Sequence, residues 1–302
     1  MPAELKPGMD HSIYSYSPIG SREILRWPES KPVAISVVLY LDYWELETPA
    51  DHHKPPEVQG MWGHQFPDLR TFSYRLYGER IGVYRILRLL EKYRVRATIA
   101  VGSEICKRYP ELVIECAQAG HEIAAHGTHA TRMITSKMTE QQELEHIHES
   151  TAAIESCIGI RPTGWFGQYQ NESSRTPFLL AQQGFSYLGD WSNDEQPYEL
   201  LTTPKMVSFP IHPELDDMQV LWMRQQPAWD YPGMVRDAVN QMVTDGQINA
   251  RSLSLGLRSW IAGRPHRIRY VDEALWEITR RQDVWVTTAA DIVNHYLQQK
   301  GS

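Results

Sequence analysis

Val33-Ala-Ile-Ser-Val-Val-Leu-Tyr-Leu41 is a nearly unbroken apolar, β-branched run. A strand with one wet face alternates apolar and polar residues. A run without alternation fits a strand buried on both faces, as in a parallel sheet or barrel. It is too short for a membrane helix, which needs ~20 apolar residues. The run hands over directly to Asp42-Tyr43-Trp44-Glu45. Parallel α/β proteins keep their chemistry at the C-terminal strand ends, so Asp42 and Glu45 are candidate reacting groups.

The chain downstream repeats one grammar. Ile81, Tyr84, Leu87 and Leu90 step by three, which predicts a helix over 79–93 with that face buried. Ala97–Val101 reads as a strand, Pro110–Ala119 as a helix closed by Gly120, and Glu122–Ala125 as a strand. Thr139 and Gln142 form a capping-box signal for a long helix ending at Cys157. Short apolar runs at 185–189, 206–210, 252–257 and 284–286 alternate with helical stretches to the end. About seven strand–helix units result, which predicts an α/β chain with one (β/α) barrel domain over 31–302. Residues 1–30, proline-bearing and aperiodic, read as an arm laid over it. An open doubly wound sheet is the alternative, but no glycine-rich phosphate loop follows the first strand. The polar stretch 48–78 predicts a long loop acting as lid or subunit contact.

Gly120-His121-Glu122-Ile123-Ala124-Ala125-His126-Gly127-Thr128-His129 ends a strand in two histidines. Neutral imidazoles three apart past a strand end can face one point and hold a metal or move a proton. Asp42, His126 and His129 would hold one divalent ion, zinc first, with a position open for water. Without a metal, Asp42 would orient His126, and His126 or Glu45 would take a proton from water. The residues leave both routes open, and a hydrogen-bonded turn without chemistry is the plain alternative.

Arg258 ends the 252–257 strand. It is a permanent donor suited to a developing oxyanion, or else a partner for Asp190 or Asp194. Arg161 reads as a brace for Asp190. Trp165, Trp191 and Tyr198 follow strand ends and are candidate walls for a flat ligand, with His212 and Glu214 as candidate ligand contacts. His146 and His148, among Glu143, Glu145 and Glu149, read as a solvated helix face.

The chain has 302 residues, and a formal charge of −7 argues against a nucleic-acid partner, which needs a basic face. No basic segment followed by an apolar core opens it, and its cysteines show no CxxC spacing. A cytoplasmic protein acting on a small molecule, away from membranes, is the expectation.

Taken in order, VVLYLDYWE, YGERIGVYRILRLLEKYRVRATIAV, AGHEIAAHGTH, RPTGWFG, GDWSNDEQPY and LGLRSWIAGRPHR resemble the polysaccharide deacetylase (NodB-homology) superfamily. Within it they are most similar to the branch of cofactor-independent allantoinases and cyclic-imide hydrolases. The resemblance spans nearly the whole chain. It implies a distorted (β/α)7 barrel of the NodB type, hydrolysis of an amide or imide C–N bond, and a homo-oligomer, dimer or tetramer. Asp42 matches the aspartate and His126 the first histidine that hold the ion in metal-dependent members. Tyr40, Ala130 and Arg258 stand where those members carry a base, a second metal histidine and an acid. Three functions follow as expectations: hydrolysis of a small cyclic amide, imide or ureide; N- or O-deacetylation of a carbohydrate; or a barrel that binds a ligand without turnover.

Overall fold

The computed structural model describes residues 9–47 and 67–301. Its centre is β1 (Val33–Leu41), every residue of which is buried. Around it stand β2 (Thr98–Val101), β3 (Glu122–Ala125), β4 (Gly164–Trp165), β5 (Tyr187–Leu188), β6 (Tyr198–Glu199), β7 (Val207–Ser208), β8 (Arg251–Arg258) and β9 (Val284–Val286). The sheet runs β6-β7-β5-β4-β3-β2-β1-β8, with β9 also on β1. All pairings are parallel except β6 with β7. The expected (β/α) barrel is present as a curled sheet with helices around it.

Burial on both faces of β1 has a simple cause. Ile35, Val37, Leu39 and Leu41 pack outward with helix residues such as Ile86, Leu90 and Val113. Ala34, Val38 and Tyr40 pack inward with Phe166, Tyr187 and Phe209. Trp27 from the leading segment and Ile292 and Val293 from the last helix, Ala289–Lys300, join that inner core. Successive residues thus serve opposite cores, and the sequence shows no alternation.

Leu69–Tyr77 is helical, capped by Asp68, so the predicted loop ends earlier than 78. The rest of that prediction, 48–66, lies outside the described residues. The helix continues through a π-turn, Gly78–Gly82, into Val83–Lys92. Its buried face is Val83, Ile86 and Leu90, whereas Ile81 and Tyr84 are exposed. The π-turn shifts the helical phase, and a regular three-residue count misses that. A Cβ on Gly82 would lie 2.1 Å from the Ser259 carbonyl oxygen. These glycines let the helix press against Ser259–Ala262, directly after Arg258.

The predicted capping box at Thr139 and Gln142 is formed, and Gly159 ends that helix with φ 72°. Among the described residues, no helix is long and apolar enough to cross a membrane.

The sheet leaves β8 with a partner on one side only. Its outward N–H groups are taken by other acceptors. Ser252 donates to the Glu195 carbonyl (2.6 Å), Ser254 to His212 Nδ1 (3.1 Å) and Arg258 to Asp217 Oδ2 (2.7 Å). A sheet edge with unmet donors is costly when buried, so Glu195 from the segment before β6 and His212 and Asp217 from the turn after β7 stand in for the missing strand.

Candidate active site

β1 and β3 flank β2 and point the same way, so Asp42 and His126 emerge on one rim, although they are not on neighbouring strands. His126 Nε2 lies 2.8 Å from Asp42 Oδ1 and its Nδ1 2.6 Å from the Phe166 carbonyl oxygen. A carbonyl only accepts, so Nδ1 carries a proton. Burial works to raise the Asp42 carboxyl. The His126 hydrogen bond and the charges of His126, Arg258 and Arg75 outweigh it and hold Asp42 below its ordinary range. With Asp42 ionised, the proton between the two belongs to Nε2, and the pair is a buried ion pair.

Arg258 is 3% exposed and sits beside this pair, with Nε 3.9 Å from Asp42 Oδ2. The alternative partners, Asp190 and Asp194, do not pair with it. Nη1 donates to Asp216 Oδ1 at 2.6 Å and lies 3.4 Å from Asp217 Oδ1, while Asp194 pairs with Arg22. Burial pushes Asp217 up to about 8, with the charge of Asp216 adding to it. Tyr40 packs its ring 5.2 Å from His126 and 4.5 Å from the Arg258 guanidinium. Burial drives its hydroxyl far upward, so it is no base near neutral pH.

His129 is not with Asp42 and His126. Its Nε2 lies 3.7 Å from Glu45 and 3.8 Å from Glu104, its ring edge-on to Tyr43. Gly127, at φ 64°, turns the chain so that the two histidines diverge. His146 is tucked under that turn, its Nδ1 3.5 Å from Thr128 Oγ1, and burial pushes it down to about 4. The solvated face expected there is wrong at that residue. Glu45 is committed as well: it accepts from Thr131 (2.6 Å) and pairs with both nitrogen arms of Arg132. That leaves it a poor general base.

The donor set therefore does not fit a resident metal. Among the described residues no group of three or more His, Cys, Asp or Glu is arranged to hold a metal ion. Two donors meet, the third faces elsewhere, and a guanidinium stands beside the carboxylate. Catalytic zinc sites keep three protein ligands and an open position.

Arg161 donates to the Gln183 carbonyl and lies 3.8 Å from Glu155, so it does not brace Asp190. Asp190 accepts from the Gly167 N–H at 2.6 Å through Oδ1, and burial pushes it up to about 7. Glu172 is raised by burial and by the charge of Asp190. Glu79, buried on the π-turn, is pushed up to about 8 by burial, with Asp42 adding to it. Sequence reasoning missed Asp190, Glu172 and Glu79 as site groups. Only the strand-end position of Asp190 signalled its place.

A cavity of about 300 Å³ opens beside Arg258 and Tyr40, walled further by Tyr169, Asn171, His212 and Ser254. Tyr169 and Gln170 hold positive φ, 52° and 56°, a strained geometry for side-chain-bearing residues. Glu143, buried on the long helix, braces this loop by accepting from Ser173 (2.8 Å) and Thr176 and pairing with Arg175 (3.2 Å). A wider groove of about 1040 Å³ meets the cavity at His212 and is lined by Tyr198 and Glu214. Trp165 is core rather than wall, 1% exposed and edge-on to Phe185. Trp191 packs on Tyr14 of the leading segment, ring centres 5.5 Å apart.

The polysaccharide deacetylase family profile matches residues 78–188. A Schizosaccharomyces pombe protein named for polysaccharide deacetylation is 28% identical over 241 residues, covering 72% of each chain. The peptidoglycan deacetylase of Helicobacter pylori is 32% identical over 139 residues, 45% of each. Among solved structures, PuuE allantoinase superposes with a TM-score of 0.82 at 25% identity, covering 94% of this chain and 96% of that one. Residues 78–188 thus match the polysaccharide deacetylase family, and the chain as a whole shares the fold of an allantoinase similar to it over nearly its full length.

Proposed function

We propose that this chain hydrolyses a C–N bond in a small cyclic amide, imide or ureide, without a resident metal. The observation that carries this reading is the polar cavity of about 300 Å³ whose wall, Arg258, also touches Asp42 of the Asp42–His126 pair. That volume suits one small ring. Water loses a proton to the Asp42 carboxylate as its oxygen bonds to the carbonyl carbon, and His126 gives its Nε2 proton to the nitrogen as the C–N bond breaks, taking the proton from Asp42 in turn. Arg258, kept charged by Asp216, faces the negative charge that develops on the carbonyl oxygen. Likeness to PuuE allantoinase supports the substrate class.

The test is a panel of hydantoin, dihydrouracil, succinimide and allantoin, each with and without EDTA. Ring opening that EDTA leaves unchanged is expected. A second reading, deacetylation of an acetylated sugar, draws on the groove of about 1040 Å³ beside the cavity and on likeness to a peptidoglycan deacetylase. Acetate released from an N-acetylglucosamine oligomer, with no ring opened, would replace the first reading with it. Thermal stabilisation by panel compounds without turnover would mark a barrel that only binds.

Asp190 is a positioning residue here, since it holds the Gly167 N–H beside the Asp42–His126 pair and feels the charge of His126. Its folded value of about 7 lies above the ordinary 3.8, so the folded state holds this proton more tightly. The resulting stability is present below about pH 4 and lost as pH rises through 7. Asp190→Asn should therefore melt higher than wild type at pH 8, with the difference shrinking toward pH 5. It should also flatten an acid limb near pH 7 in kcat. Parallel melting curves across that range would refute the assignment.

A further inference from the structure

His212 closes the barrel's seam in a way that fixes its chemistry. The Ser254 main-chain N–H points at His212 Nδ1, 3.1 Å away, and the His212 N–H returns to Ser254 Oγ at 2.9 Å. An N–H can only donate, so Nδ1 holds the lone pair and the neutral ring carries its proton on Nε2. Protonating Nδ1 would set two N–H groups against each other. Burial adds to this and pushes the ring down to about 4, so it stays neutral at neutral pH. Nε2 is buried and has no hydrogen-bond partner among the described residues. The ring borders the small cavity and also the outer groove.

We propose that His212 is a catalytic residue, whose Nε2–H donates to the oxygen of the carbonyl whose C–N bond is broken, in the cavity walled by Arg258 and Tyr40. The inference rests on the proposed C–N hydrolase reading and deepens it. Two donors with different properties then meet one substrate. Arg258 is charged but tied to Asp216 and Asp217, whereas His212 is neutral and free to bond. A neutral donor held by a main-chain amide needs no reorganisation as charge builds on the oxygen, which is how fixed donors lower a barrier. The same hold makes His212 a poor base, so it does not duplicate the Asp42–His126 pair. The ligand class selected is one with a carbonyl acceptor at the seam side of the ring, as in imides and ureides, which carry more than one carbonyl.

The experiment uses the full chain, the cyclic panel above, and the variants His212→Phe and His212→Gln. His212→Phe keeps a ring without the donor, and His212→Gln restores an N–H. Loss of kcat by about 10²–10³-fold in His212→Phe with KM little changed, and partial recovery in His212→Gln, is expected. In ¹⁵N spectra of labelled wild type at pH 7, the His212 Nε2 should be protonated and should shift on adding saturating hydantoin. Wild-type kcat in His212→Phe, or an unprotonated Nε2, overturns the proposal. Equal losses in both variants overturn it too, because they would mark a merely structural ring. If wild type opens no ring of the panel, the hydrolase reading fails and this role falls with it. Panel turnover with an unmoved Nε2 resonance sinks this inference alone.

Discussion

His126→Ala is expected to lower turnover of a cyclic substrate by about 10²–10⁴-fold, the range set by removing a general acid–base group. The fold should survive with a modest loss. His126 is 1% exposed, and its removal leaves the Phe166 carbonyl and Asp42 without their donor. A buried acceptor stripped of its partner costs ~1–3 kcal/mol, and more when it is charged. A 302-residue chain with a continuous core should absorb that. The check is steady-state kinetics alongside thermal melting of the same preparation. A folded variant with wild-type kcat would remove His126 from the chemistry, and with it the proposed mechanism. A compensating loss is also expected on the acid side. Asp42 is held below its ordinary range in wild type, so its contribution is present above about pH 4 and disappears as pH falls further. In His126→Ala that contribution shrinks, and the acid-side slope of stability should flatten.

How much of this site the sequence discloses depends on the range of the interaction. β1, the capping box at Thr139 and the strand ends at Asp42 and His126 follow from local patterns, because burial on two faces and cap bonds are decided within a few residues. The direction of His129 is decided by one backbone angle, at Gly127, which spacing does not encode. The exposed Ile81 and Tyr84 follow from a π-turn, which a helical count assumes away. The sequence offers Asp190 or Asp194 as alternative partners for Arg258, yet its partners Asp216 and Asp217 come from the turn after β7 that helps replace a missing neighbour of β8. No local rule announces that a sheet will stay open there. His212 was legible as a rim residue, but its tautomer is dictated by a β8 amide far along the chain.

Arg258→Met tests that long-range arrangement, and the expected effect is the largest on stability. The guanidinium is buried among Asp216, Asp217 and Asp42, and it stacks on the Tyr40 ring. Methionine matches the stem but leaves three buried carboxyl groups with no cation from this strand. Breaking a buried pair by removing one partner costs ~3–5 kcal/mol, because the charge left behind has lost its counterion. That corresponds to a fall in Tm on the order of 10 °C. The sign of its pH dependence follows from the same charges. Without Arg258 the folded-state values of Asp42 and Asp217, which its charge lowers, rise, so the folded form gains protons more readily than it does in wild type. Stability that carboxyls with raised values contribute is present at low pH and lost as pH climbs. The gap between variant and wild type should therefore narrow toward pH 5 and widen toward pH 8. Adding Asp216→Asn and Asp217→Asn to Arg258→Met should recover part of the loss, since neutral amides no longer repel. Arg258→Lys should fall between the two, because one ammonium cannot serve Asp216 and face Asp42 at once. Melting curves of the four proteins at pH 5 and pH 8 decide the matter. A variant as stable as wild type at pH 8 would mean that the three carboxyls are already neutral there, and Arg258 could not then be the charged wall that the proposed chemistry requires.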